Sequence, residues 1–201
     1  MRIRTLVMTL AGTGISAWSE QPAVPAAEYS VTVCMGVGHN TLLRSTALPE
    51  ASKIFAEIGV RIDWLPHSHD CDAIEGIVVS LSDETPAKKY PGAWAYARPY
   101  EGLHIEVFYD RIQKKMGNAA APRLLAYVLT HEIAHVLQGS DGHSPTGIMK
   151  AVWDSGDYFE MIHGRVKFTP SDIRLIRLGL DTRKTRSPAS KQRPTILQSH
   201  Q

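Results

Sequence analysis

The segment PRLLAYVLTHEIAHVLQ, residues 122–138, constrains the fold more than any other stretch of the chain. Its length and pattern predict a helix, with Pro122 suited to a first turn and Gly139 to a left-handed terminator. Leu125, Leu129, Ile133 and Val136 occupy one flank, and Leu124 and Val128 lie near the histidine flank. A helix apolar on all sides belongs in the interior. His131, Glu132 and His135 on such a helix are costly unless they find partners.

The rest of the chain supplies elements to pack around it. SVTVCMGV (30–37) reads as a strand, and LLRSTALPEASKIFAEIG after it has Leu42, Leu43, Ile54, Phe55 and Ile58 at partly helical spacing before Gly59 stops the helix. VRIDWL (60–65) is a second strand, so the opening is β-α-β and the two strands are expected to be parallel. AIEGIVVSL (73–81) is a third strand and DETPAKKYPG an exposed loop. GAWAYARPY and LHIEVFYD read as two short strands that permit an antiparallel pair, one member at a sheet edge. FTPSDIRLIRLGL offers Thr169 as N-cap, Pro170 in the first turn and Asp172 three residues after the cap, opening a C-terminal helix. The expected fold is α/β: a mixed, mostly parallel sheet with an antiparallel edge strand, the helix carrying His131 and a C-terminal helix.

A chain of 201 residues, 43% of them hydrophobic, fits one globular domain, and after the N-terminus it has no apolar run long enough for a membrane span. The formal charge is +2, but residues 181–201 contribute five Lys/Arg against one Asp. The basic balance therefore belongs to a tail, and a nucleic-acid surface has little support. Arg2 and Arg4, the apolar stretch Leu6–Ile15 and the small residues Ser16 and Ala17 have the layout of a secretory signal. The expected organisation is a signal over 1–27, a domain over 28–180, a disordered basic tail over 181–201, and a secreted or periplasmic location. Cys34 and Cys71 would form one disulfide in an oxidising compartment, or remain two buried thiols. Oligomeric state is not readable.

His131 and His135 are four apart, so on a helix they share a face with Cβ atoms about 5–6 Å apart, and both imidazoles can reach one zinc ion (Zn2+) at about 2.0–2.1 Å. Glu132, about 100° around the helix, borders that face and is placed as a base. Zinc lowers the pKa of a water it binds to about 7, and a neighbouring glutamate can take the proton as the water attacks a carbonyl. A catalytic zinc needs a third protein ligand, for which Asp141, His143 and Glu160 are candidates. His67, His69 and Asp70 fall in a polar loop and read as solvated, and His39, His104 and His163 have no partner pattern.

The stretch HEIAHVLQGSDGHSPTGIM, 131–149, resembles the metzincin zinc peptidases, and among them the matrixin-like pattern of HExxHxxGxxH followed by Ser and a Met-turn. Two positions depart from it: Gln138 stands where the family has glycine, one residue before Gly139, and the family's third ligand would fall on Asp141. Counting back from Met149 selects His143, which directly precedes Ser144; the shift to Gly139 and the flexibility of Gly142 point the same way, and imidazole suits zinc. The resemblance thus implies a zinc endopeptidase acting on peptide or protein substrates, with His131, His135 and His143 on the metal and Glu132 as general base. It implies Met149 as an apolar floor, an edge strand from GAWAYA or its neighbour that binds an extended peptide, and Tyr158 as a transition-state donor. Two alternatives remain: an exported zinc-binding protein without proteolytic activity, and a gluzincin-type peptidase taking Glu160 from a helix at DYFEMI.

Overall fold

A computed structural model describes residues 27–36, 41–66, 71, 76–97 and 103–186. The secretory-signal reading therefore lies outside the described residues except at Ala27, as do His39, His67, His69, Asp70 and the tail from residue 187. Five strands, β1 (Tyr29–Met35), β2 (Val60–Leu65), β3 (Ile77–Ser82), β4 (Ala95–Ala97) and β5 (His104–Phe108), form one sheet in the order β2-β1-β3-β5-β4. All neighbours are parallel except β4 and β5. This is the expected mixed sheet, with β4 at the edge and Ala95 opposite Val107.

Alternation decides which sheet face is covered. Tyr29, Val31 and Val33 of β1, Val60 and Ile62 of β2, Ile77 and Val79 of β3, and Ile105 and Val107 of β5 are buried in one core, while Ser30, Arg61 and Ser80 on the opposite face are exposed. Residues of period two that bury one apolar face in this way require a covering layer on it, and on the other face Cys34 and Val78 are buried in a small cluster of their own. Helices supply that layer: α1 (Leu48–Ala56), preceded by a π-helical turn at Leu43–Ala47, makes the β1-β2 crossover. The wider π turn explains why the apolar spacing there is only partly helical. Gly59, at φ 81, ends the turn after α1.

The central helix α2 runs over Tyr109–Gln138, starting thirteen residues before the expected first turn at Pro122. Its path breaks at Gly117, whose φ of 69 and ψ of 162 are not helical, so two helical pieces join there. Pro122 sits in the second turn after the break, and Asn118, the residue whose carbonyl it leaves unpaired, is exposed to water. From Leu124 to Leu137 almost every side chain is buried, as an all-round apolar helix requires: α2 touches α1, β3, β4 and β5. It also packs against α3 (Ser155–Ile162) and α4 (Pro170–Arg186).

Helix α4 opens as the sequence predicts. The N–H of Asp172 donates to Thr169 Oγ1 at 3.2 Å, and the N–H of Thr169 donates to Asp172 Oδ2 at 2.8 Å, so each end of the box satisfies the other. The helix continues to Arg186, so residues 181–186 of the expected disordered tail are helical, held by Tyr29 to Asp181 and by Arg183 to the Val136 carbonyl. Cys34 and Cys71 are joined in a disulfide with Cα atoms 6.1 Å apart, which ties the end of β1 to the segment before β3. No helix among the described residues is long and apolar enough to cross a membrane.

Candidate metal centre

Two corners of the site come from α2. His131 and His135 lie one turn apart with ring centroids 4.6 Å apart and Nε2 atoms 3.0 Å apart. The Nδ1 of His131 lies 2.8 Å from the Ile148 carbonyl and the Nδ1 of His135 lies 2.9 Å from the Ser140 carbonyl. A carbonyl only accepts, so each Nδ1 carries the proton and each Nε2 presents a lone pair.

Burial, and then the neighbouring His135, pushes His131 down to about 4, and burial pulls His135 down as well. Both rings are therefore neutral near pH 7, and two lone pairs face each other across 3.0 Å with no proton between them. That arrangement is repulsive unless a cation sits between the nitrogens. Tetrahedral zinc with ligands at about 2.0–2.1 Å would hold such a pair roughly 3.3 Å apart. The donor set fits that ion.

The third corner comes from the loop. α2 ends at Gly139, left-handed at φ 63 and ψ 35, whose N–H bonds back to the His135 carbonyl at 3.0 Å. Gly142 donates to Ser140 Oγ at 3.0 Å, and the chain then brings His143 to 5.3 Å from the His131 ring and 4.9 Å from the His135 ring. One ligand atom from each of the three histidines lies within 4.8 Å of the others. Asp141 is exposed and lines the adjoining cleft without joining that cluster. Glu160, the gluzincin alternative, sits on α3 as that reading expected, but its carboxylate pairs with Arg165 on the surface, away from the histidines.

The loop after His143 is itself braced. Ser144 N–H donates to the Met149 carbonyl at 2.8 Å and Ser144 Oγ to Asp172 Oδ1 at 2.5 Å, while Ile148 N–H donates to the Lys167 carbonyl at 3.1 Å. Met149 is fully buried in the main core. Trp153 packs edge-on to His131, centroids 5.4 Å apart. Neither Trp153 nor the role of Asp172 as a partner of Ser144 was evident from sequence: Asp172 reads there as a helix cap, and nothing in the spacing places Trp153 against a histidine.

The histidines open onto a cleft of about 360 Å³. Its rim is Gly92–Ala97, including all of β4; Val128 of α2 lies within it; the facing wall is Lys150–Trp153 with Tyr158. Glu132 lines the same cleft, and its apolar surroundings push its carboxyl up to about 7. Tyr158 is half-buried, its hydroxyl raised by burial and accepting from the Trp94 side chain.

No family model matches the chain, and no curated protein matches it. Among solved structures, it is similar to the crystal structure of archaemetzincin from Methanopyrus kandleri, at 16% identity and a TM-score of 0.48, over 81% of this chain and 99% of that one.

Proposed function

We propose that the protein is a zinc-dependent endopeptidase of metzincin type. The observation that carries this reading is the convergence of His131, His135 and His143, with two Nε2 lone pairs aimed at one point, beside Glu132 in a cleft under a sheet-edge strand. A purely structural zinc site closes its fourth position with a protein ligand and has no use for a carboxylate beside it.

Zinc bound there supplies a Lewis acid that polarises a carbonyl and makes water acidic enough to attack at neutral pH. The chain's own residues do the rest. The carbonyls of Ile148 and Ser140 fix the tautomer and orientation of His131 and His135. Glu132 accepts the proton of the attacking water and returns it to the amide nitrogen as the amine leaves. Strand β4, antiparallel and at the sheet edge, offers backbone groups against which an extended peptide adds as a further strand. The matrixin-like pattern around Ser144 and Met149 and an apolar floor role for Met149 belong to the same proposal.

Replacing Glu132 with Ala tests it: the variant should keep one zinc per chain and lose cleavage of a proteome-derived peptide library by orders of magnitude. Equal cleavage by the variant and the wild type, or cleavage unaffected by a chelator, would sink the peptidase reading and leave the non-proteolytic zinc-binding alternative. We also propose export to the periplasm or outside the cell; the Cys34–Cys71 disulfide supports it, since such bonds persist in oxidising compartments. Intact mass of the mature protein should show the loss of about 17–27 N-terminal residues.

A further inference from the structure

The sheet face turned away from α2 is covered at its β4 end by the segment that leads into the cleft rim. There, four backbone carbonyls of residues 86–93 converge on one guanidinium. Arg111 Nη1 donates to the Tyr90 carbonyl at 2.7 Å and the Ala93 carbonyl at 2.9 Å, and Nη2 donates to the carbonyls of Lys89 and Pro86. The guanidinium also lies 4.5 Å from the Phe108 ring centroid. Tyr90, left-handed at φ 43, stacks on Tyr96 of β4 at 4.1 Å, and the Phe108 N–H donates to the Trp94 carbonyl at 2.8 Å. Lys89 pairs with Glu106 at 2.7 Å, and Thr85 bonds Asp110, the residue beside Arg111.

Residues 86–93 form turns without strand or helix. Inside them the Lys89 N–H donates to the Pro86 carbonyl at 2.9 Å and the Ala93 N–H to the Tyr90 carbonyl at 3.1 Å, and Arg111 ties these two turns together by adding a bond to each of those carbonyls and to those of Lys89 and Ala93. A guanidinium has five donors in a rigid fork and no acceptor, which suits several carbonyls at once; a lysine ammonium cannot reproduce that spread. Gly92, Ala93 and Trp94, the residues this clasp holds in place, line the cleft opposite Lys150–Trp153. Arg111 itself does not line the cleft, so it acts on the site only through the rim.

We propose that Arg111 is a positioning residue for substrate, fixing the height and path of the rim strand against which an extended peptide would lie. The proposal rests on the peptidase reading above. It is tested on the zinc-loaded protein with Arg111→Lys and Arg111→Met. Both variants should bind one zinc, with amide exchange over 86–97 accelerated roughly tenfold or more and that of 124–137 unchanged. KM for an octapeptide substrate should rise about tenfold while kcat stays within about threefold, because the chemistry at Glu132 is untouched. If Arg111→Met does not fold, Arg111→Lys, which keeps the charge and most of the stem, carries both measurements. Unchanged exchange over 86–97, or a fall in kcat with KM unmoved, overturns the proposal. A wild type that cleaves nothing overturns the peptidase reading, and the two failures are distinguishable because the exchange measurement involves no substrate.

Discussion

The carbonyl oxygen of Ile148 accepts the Nδ1 proton of His131 at 2.8 Å, so a turn seventeen residues downstream sets the orientation of a ring on the central helix. That turn has little freedom: Gly147 is left-handed at φ 76, and a Cβ built on it would stand 2.4 Å from the Lys167 carbonyl oxygen, which also holds the Ile148 N–H. Gly147→Ala should therefore destabilise the fold by roughly 2–4 kcal/mol, combining backbone strain with the clash. It should also weaken zinc binding by about tenfold or more by moving the His131 partner. Denaturant unfolding and competitive zinc titration check the two effects, and an undiminished affinity in a destabilised variant would show that Ile148 does not orient the ring.

His143 and Asp141 separate in the same way. His143→Ala should leave two histidines and lower zinc affinity by several orders of magnitude, with loss of cleavage, since three protein ligands are needed. Asp141→Ala should keep the metal with little change, because Asp141 lies outside the histidine cluster. Zinc lost from the Asp141 variant and kept by the His143 variant would reverse the assignment.

Much of this site is legible in the one-dimensional chain because its signals are local. The four-residue spacing of His131 and His135 needs only a helix, and Gly139 needs only a left-handed terminator, so both are found where the spacing puts them. VRIDWL is bounded by Gly59 and Pro66, and β2 has those limits. What escaped is carried by groups without a side-chain signature. The carbonyls of Ile148, Ser140, Tyr90 and Ala93 look like any others in sequence, yet they orient two histidines and gather on Arg111. The early start of α2 escaped for a related reason: the charged stretch from Arg111 to Lys115 has no side-chain cap at its head, and Gly117 and Pro122 suggest a beginning where the chain has only a break.

The crossing of α2 and α4 gives a third expectation. In an exposed helix, Gly→Ala stabilises by about 1 kcal/mol. At Gly179 the sign should reverse, because a Cβ there would stand 1.8 Å from the Leu137 carbonyl oxygen and 2.9 Å from its carbon, both backbone atoms that cannot swing aside. Gly179→Ala should cost about 2–4 kcal/mol by forcing the helices apart. The Arg183 bond to the Val136 carbonyl, 2.6 Å, would go with it. A melting temperature equal to or above that of the wild type would show that the crossing tolerates a methyl group.

The disulfide offers the last test, and it separates stability from the metal site. Cys34 and Cys71 are 37 residues apart, and the chain-entropy account gives a crosslink closing a loop of that length roughly 3–4 kcal/mol through the unfolded state. Both cysteines are buried with Val78 in a small cluster of their own, apart from the main core that holds Met149 and Ile148, and no residue of that cluster lines the cleft. A Cys34→Ser/Cys71→Ser double variant should therefore unfold at lower denaturant by about that free energy. It should retain zinc stoichiometry and, where folded, the same affinity. Equal unfolding midpoints for the reduced and oxidised wild type would mean that the crosslink restrains nothing the core does not already hold. A fall in zinc affinity in the folded double variant would mean that the end of β1 is coupled to the histidines, through β3 and α2, more tightly than their separate packing implies.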